Sequence, residues 1–303
     1  MQVKILGTAA GGGLPQWNCN CPNCQAVRAS SGGIRWLNQS SIAVRASKNQ
    51  PWFLVNASPD VRQQLELLRD GTPVPIRSSP IAGILLTDAE IDHTTGLILL
   101  RESSEPLRVY GTETVRRALT EGFPLLSTLT DYCGVKWSLL EPGIPINLGL
   151  NEADRLEVEA FPLAAKPPKY MRHRAVVDEV SVVGFTFRAS GKVMTYAPGL
   201  AQLDETILER FESSDCILID GTCWQDDELV SLGIANRKAR EMGHLPLSGA
   251  EGSIQHLAQL RHPRKVLVHI NNTNPILMAD SQERHFVEKA GIEVGDDGLT
   301  IEL

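Results

Sequence analysis

Two short stretches of this chain concentrate side chains that bind metals. The first is Cys19-Asn20-Cys21-Pro22-Asn23-Cys24, three thiols in a C-x-C-x-x-C spacing with Pro22 tightening the turn. Thiolates this close can take three corners of a tetrahedral zinc site, and closed, sulfur-rich sites of this kind are structural. The competing reading is three unpaired core thiols. The fourth corner has to come from elsewhere, because no His or Cys follows nearby. The second stretch is Leu85-Leu86-Thr87-Asp88-Ala89-Glu90-Ile91-Asp92-His93-Thr94-Thr95-Gly96-Leu97. There an apolar run ends in three carboxylates and a histidine. Carboxylates crowded at one strand end repel one another, so a cation or protons must neutralise them. The same spacing also fits a solvated acidic loop in which Asp92 caps the next helix.

Two more apolar runs end in groups of the same kind. Ile217-Leu218-Ile219-Asp220-Gly221-Thr222 closes on a lone carboxylate, and Val266-Leu267-Val268-His269-Ile270-Asn271-Asn272 on a histidine. Singly, these are a turn residue and a core histidine. With Asp92 and His93 they form a set of strand-end groups able to converge on one metal. His244, in Met242-Gly243-His244-Leu245-Pro246, precedes a helical pattern and fits a ligand, an acid/base or a surface histidine.

The elements that must position these groups are read from hydrophobic periodicity. Apolar or β-branched runs predict strands at 3–6, 41–44, 52–55, 81–86, 107–110, 156–161, 181–188, 192–196, 216–219 and 265–270. Helical patterns cover 59–69, 95–102, 113–120, 204–213, 249–259 and 281–290, with helix starts at Thr112-Glu113-Thr114 and Ser248-Gly249-Ala250-Glu251. The order begins β-rich, becomes mixed and closes in β–α units. It predicts two sheets face to face with helices outside, a four-layer α/β sandwich, although periodicity alone also allows a doubly wound sheet. No Pro/Gly-rich linker divides residues 1–303, so we expect one domain carrying the cysteine knuckle at 19–24.

Composition narrows the function. A net charge of −7 excludes a general nucleic-acid or anionic-membrane binder, and the bias of Lys4, Arg28, Arg35 and Arg45 reads as a solvated face. No run approaches the roughly twenty apolar residues of a membrane span. Met1 to Gly7 has no signal-peptide pattern, so a cytoplasmic protein is expected. Cys133, Cys216 and Cys223 are scattered, unlike a disulfide framework, and should be buried thiols.

Taken together, the motifs resemble the metallo-β-lactamase superfamily. Its T-H-x-H-x-D-H loop has the frame of Thr87-Asp88-Ala89-Glu90-Ile91-Asp92-His93, and Asn56-Ala57-Ser58-Pro59-Asp60 is similar to its earlier strand-end loop. The resemblance makes Asp220 the counterpart of the metal-bridging aspartate and His269 that of the final strand-end histidine. It also places Asn272 where relatives with a cysteine knuckle carry the late histidine that completes a structural zinc. Gly11-Gly12-Gly13-Leu14-Pro15-Gln16-Trp17-Asn18-Cys19 and His269-Ile270-Asn271-Asn272-Thr273-Asn274 resemble, more narrowly, the branch of the superfamily that serves pyrroloquinoline quinone (PQQ) biosynthesis.

That resemblance implies a metallo-β-lactamase-like αββα fold, a structural Zn2+ on Cys19, Cys21, Cys24 and Asn272, and an active-site metal on Asp92, His93, Asp220 and His269. Asp88 and Glu90 stand where the usual loop has histidines, and no histidine falls near Leu163-Ala164-Ala165-Lys166, where a third would be expected. Lys166 adds a competing positive charge there. One of two metal positions is therefore lost, and two imidazoles with carboxylates match the ligand set of non-haem Fe2+ oxygenases. The implied reaction is hydroxylation of the tyrosine ring in a cross-linked Glu–Tyr PQQ precursor, with O2 as co-substrate and other PQQ-pathway proteins as partners. Asp88, Glu90 and His244 would bind substrate or move protons, and Asp60 would orient a ligand. A single-metal hydrolase and a non-catalytic carrier of PQQ or its precursor are the alternatives.

Overall fold

The computed structural model describes residues 1–69, 71, 75–149, 155–174 and 180–303. Its strands are β1 (Gln2–Gly7), β2 (Ser41–Arg45), β3 (Trp52–Val55), β4 (Ile81–Leu85), β5 (Leu107–Gly111), β6 (Val135–Leu139) and β7 (Ile146–Asn147). The second half contributes β8 (Glu157–Leu163), β9 (Val182–Ala189), β10 (Lys192–Ala197), β11 (Cys216–Asp220), β12 (Arg264–Val268), β13 (Glu293–Val294) and β14 (Thr300–Glu302). They form two seven-stranded sheets, ordered β14-β1-β2-β3-β4-β5-β6 and β13-β12-β11-β10-β9-β8-β7. In each sheet antiparallel ladders give way to parallel ones, at β3/β4 in the first and at β10/β11 in the second.

Alternation along the strands explains the layers. Val3, Ile5, Ile42, Val44 and Val55 of the first sheet meet Phe185, Phe187, Tyr196, Leu218 and Val268 of the second in one buried cluster. Residues of opposite parity face outward under helices. Leu54, Ile84 and Val109 join a cluster with Leu97, Leu119 and Leu129, and Ile217, Ile219 and Leu267 join one with Phe211, Leu257 and Val287. The result is the expected αββα sandwich.

Most predicted elements lie within a residue or two of their observed bounds. Thr112 caps its helix, accepting a hydrogen bond from the Val115 amide. Ser248 does not: its hydroxyl donates to the Trp224 carbonyl, and the helix starts at Ser253. Beyond Arg117 the expected helix widens into a π-helical turn over Ala118–Gly122. Cys216 and Cys223 are buried thiols, but Cys133 is only half-buried. Among the described residues no helix is long and apolar enough to cross a membrane.

The parallel strands carry the chemistry at their carboxyl ends. The chain leaves β3 through Asn56 (φ 62°) and β12 through His269 (φ 54°), both in the left-handed region that side chains beyond Cβ disfavour. Asn56 is held there because its Oδ1 accepts from the Thr87 amide while its Nδ2 donates to Thr87 Oγ1. Beside it, the Ala57 amide donates to the His93 carbonyl and the Gly96 amide to the Ala57 carbonyl. This contact requires glycine: a Cβ on Gly96 would sit 2.2 Å from the Ser58 carbonyl oxygen. Gly96→Ala should therefore cost about 1–3 kcal/mol. Urea unfolding checks this, and an unchanged midpoint would contradict the close packing of these two loops.

Candidate metal centre

Strand β4 ends at Leu85, and just beyond Thr87 the chain turns so that Asp88 folds back on itself. Asp88 Oδ1 accepts from the Glu90 amide at 2.8 Å and Oδ2 from the Thr87 hydroxyl at 2.6 Å. The same carboxylate lies 2.8 Å from His93 Nδ1, with both partners buried. Asp88 is thus committed to His93. The other ring nitrogen, Nε2, is buried without a hydrogen-bond partner. It lies 3.7 Å from Asp92 Oδ2, which is also 4.0 Å from His269 Nε2.

The second sheet supplies the opposite wall. Asp220 ends β11 almost fully buried. Its Oδ1 accepts from the Thr222 amide and hydroxyl at 2.9 and 2.5 Å, and its Oδ2 from the Leu200 amide at 2.9 Å. Oδ2 also lies 2.6 Å from His244 Nδ1. Gly243, at φ 103°, terminates the short helix Ala239–Met242 and turns the chain so that His244 reaches this carboxylate. His269 completes the group: its Nδ1 is 2.9 Å from Thr222 Oγ1, and its ring stacks on His244 with centroids 5.2 Å apart. Ligand atoms of Asp92, His93 and His269 lie within 4.8 Å of one another, as do those of Asp220, His244 and His269.

Each of the three histidines has Nδ1 held by an oxygen of the protein. That arrangement leaves Nε2 for a cation, as oxygen partners on the far nitrogen do in metal sites generally. The orphaned Nε2 of His93, aimed at a carboxylate, is the direct sign that the donor set fits a metal. The electrostatics agree. Burial opposes charging of His93, but Asp88 and Asp92 outweigh it and lift its pKa to about 10. Burial likewise works against Asp88 ionising, yet His93 holds its carboxyl near about 2. Glu90 is pushed up to about 7 by burial and then by the negative Asp88 and Asp92. His269 is pushed down to about 4 by burial and by the neighbouring imidazoles.

A cavity of about 220 Å³ opens onto these groups, with Glu90, Lys166, Leu229, Met242 and Asn271 also on its walls. Lys166 is exposed at its edge. Asp60, expected to orient a ligand, instead accepts from the Gln39 amide and side chain, and Gln39 Oε1 accepts from the Gly12 amide. It therefore steadies the glycine loop whose Gly11 lies against Asp92. Sequence reasoning assigned no role to Thr222 or Asn56. Both stand inside quoted motifs, but their partners are distant in sequence.

The cysteine knuckle is a separate site. The Sγ atoms of Cys19, Cys21 and Cys24 lie within 4.8 Å of one another. Asn272 Nδ2 sits 3.1, 3.5 and 3.3 Å from them. Half a turn of that amide puts its carbonyl oxygen, a possible zinc donor, in the same place. Burial pushes the Cys21 thiol up to about 12, so a thiolate there requires a cation. Asn23, in the short helix Pro22–Arg28, donates to the Asn272 and Asn274 carbonyls, and Asn274 Nδ2 donates to the Gly221 carbonyl beside Asp220. A single turn after β12 thus touches both sites.

With this geometry in place, comparison with known proteins is decisive. A model of the β-lactamase superfamily domain matches residues 51–270. Coenzyme PQQ synthesis protein B of Methylococcus capsulatus is 43% identical, with all of both chains covered. The crystal structure of Zn(2+)-bound PqqB from Methylobacterium extorquens has a TM-score of 0.89 at 36% identity, again with all of both chains covered. The chain belongs to the coenzyme PQQ synthesis protein B family. A diphosphatase of the PhnP family, 19% identical with a TM-score of 0.68 over the whole chain and 96% of its own, shares the fold. The family thus carries a metallo-β-lactamase fold with metal-binding side chains gathered at its strand ends.

Two predictions follow from the two clusters. At pH 7.5 His93 is protonated, because its pKa lies near about 10. A divalent cation taking Nε2 must expel that proton, so affinity rises as pH rises and falls in acid. Calorimetry in buffers of different ionisation enthalpy should show release of about one proton per cation bound. Cation binding without proton release would place His93 outside the ligand set. Separately, Cys21→Ala should lower both zinc content and Tm. A variant that kept both would show that the knuckle holds no zinc.

Proposed function

We propose that this protein acts in PQQ biosynthesis as a non-haem Fe(II)-dependent oxygenase that hydroxylates the tyrosine ring of a cross-linked Glu–Tyr precursor. The observation that carries this reading is the composition of the cavity wall. One face offers Asp92 with the Nε2 atoms of His93 and His269, two imidazoles and a carboxylate. The positions that would hold a second metal carry Asp88, whose oxygens serve His93, together with Glu90 and a nearby lysine. A hydrolase that clamps both oxygens of a displacement needs both metals. An oxygenase needs one metal with open positions.

In this reading Asp92, His93 and His269 hold the metal. Asp220 joins them from the second sheet, with Oδ1 fixed by Thr222 and Oδ2 shared with His244. Fe(II) held there would supply redox chemistry toward O2. The remaining work falls to the chain itself. Asp88 and Thr222 keep two imidazoles turned so that Nε2 faces the cavity. Glu90, with its pKa near about 7, can accept a proton from the ring at neutral pH and return it. Lys166 at the edge pairs with a substrate carboxylate, and Leu229 and Met242 pack against the ring. Zinc in the knuckle clamps the turn that carries His269. The precursor, O2 and the other proteins of the pathway are the partners of this reading.

Iron-loaded protein given the precursor and an added two-electron reductant such as ascorbate in air should consume O2 and form a ring-hydroxylated product and water, and His93→Ala should abolish both. Equal turnover without O2 would replace this reading with single-metal hydrolysis. Tight binding of PQQ or its precursor without turnover, unchanged in His93→Ala, would replace it with a carrier.

A further inference from the structure

Among the described residues, Thr222 is the one hydroxyl in contact with both histidines of the second-sheet wall. Its Oγ1 lies 2.5 Å from Asp220 Oδ1, 2.9 Å from the His269 carbonyl oxygen, 2.9 Å from His269 Nδ1 and 3.1 Å from His244 Nδ1. A threonine hydroxyl has one proton to give and two lone pairs to offer. Two of the four neighbours, the carboxylate and the carbonyl, can only accept. The Asp220 contact is short and charge-assisted, so the single proton belongs there. The two ring nitrogens must then approach Oγ1 as donors. Among the described residues His269 Nδ1 has no other hydrogen-bond partner, and it is satisfied only as N–H donating to Thr222. His244 Nδ1 donates mainly to Asp220 Oδ2 at 2.6 Å.

We infer that Thr222 is the positioning residue that fixes His269 as the Nδ1–H tautomer, leaving its Nε2 lone pair for the active-site metal. One carboxylate, Asp220, thereby orients two imidazoles, His244 directly and His269 through the intervening hydroxyl. The backbone makes the same demand. His269 sits at φ 54°, and the hydroxyl accepts from its ring nitrogen, so the strained residue is held through Thr222. His93 needs no such intermediary, because Asp88 reaches its Nδ1 itself. Serine keeps the hydroxyl, whereas valine keeps the shape of threonine and loses it. The inference rests on the metal reading proposed above, and the experiment separates the two.

Full-length wild type, Thr222→Ser and Thr222→Val are titrated with Co(II) against a competing chelator, and the visible ligand-field spectrum of the bound ion is recorded. The wild type and Thr222→Ser should bind alike and share a spectrum. Thr222→Val should bind about 10–100-fold more weakly with an altered spectrum, the effect typical of losing a hydrogen bond behind a ligating histidine. Equal affinity and spectrum in Thr222→Val would overturn the role of Thr222 while leaving the metal reading intact. Absence of Co(II) binding outside the knuckle in the wild type would instead overturn the metal reading and this inference with it. Should Thr222→Val fail to fold, metal-free wild type decides the matter. Nitrogen-15 spectra of its histidines, with His269 assigned by its loss in His269→Asn, should show the Nδ1–H form, and an Nε2–H form would overturn the inference.

Discussion

The constraint on which the rest depends is the burial of charge where the parallel strands end. Asp88, Asp220, His93 and His269 are all nearly inaccessible to water, and Asp92 lies among them. Burying an unpaired charge costs several kcal/mol, so every one of these groups must be paired. Asp88 and Asp220 are each paired twice, by backbone amides and by imidazoles. The imidazoles are paired once each, and His93 keeps a nitrogen with no partner at all. A cation among the Nε2 atoms resolves that imbalance. Without one, His93 carries the compensating proton, which is what its raised pKa expresses.

The fold supplies the rigid frame that this arrangement requires. Each sheet delivers its groups from the carboxyl ends of parallel strands, β4 on one side and β11 and β12 on the other. The central apolar layer between the sheets fixes their separation. Backbone strain beside the site falls at Asn56 and His269, and hydrogen bonds to Thr87 and Thr222 hold it there. The knuckle extends the frame through Asn23, Asn272 and Asn274, so the turn after β12 is clamped from outside as well as from Gly221.

Much of this was legible in the sequence, for identifiable reasons. Apolar runs such as 216–219 and 265–270 are long and β-branched, and a polar residue at their carboxyl ends marks the site. The strands without a clear signal are Val135–Leu139, Ile146–Asn147, Glu293–Val294 and Thr300–Glu302. Three of these have only two or three residues, and the fourth is a half-exposed edge strand interrupted by Lys136 and Ser138. Asp92, His93, Asp220, His269 and the three cysteines could be chosen by residue type and spacing. What each carboxylate does could not, because it depends on pairs far apart in the chain. Asp220 meets His244 across 24 residues and Thr222 meets His269 across 47. Asp60 likewise serves the glycine loop through Gln39 rather than a ligand.

The proposed function requires one iron, and not a metal pair, among these strand ends. An anomalous-scattering map of Fe(II)-loaded crystals, recorded on both sides of the iron edge, tests it most directly. The account predicts a single iron peak within bonding distance of Asp92 and of the Nε2 atoms of His93 and His269, with a separate zinc peak at the knuckle. Two peaks in the cavity, with Asp88 or Glu90 bound to the second, would contradict it.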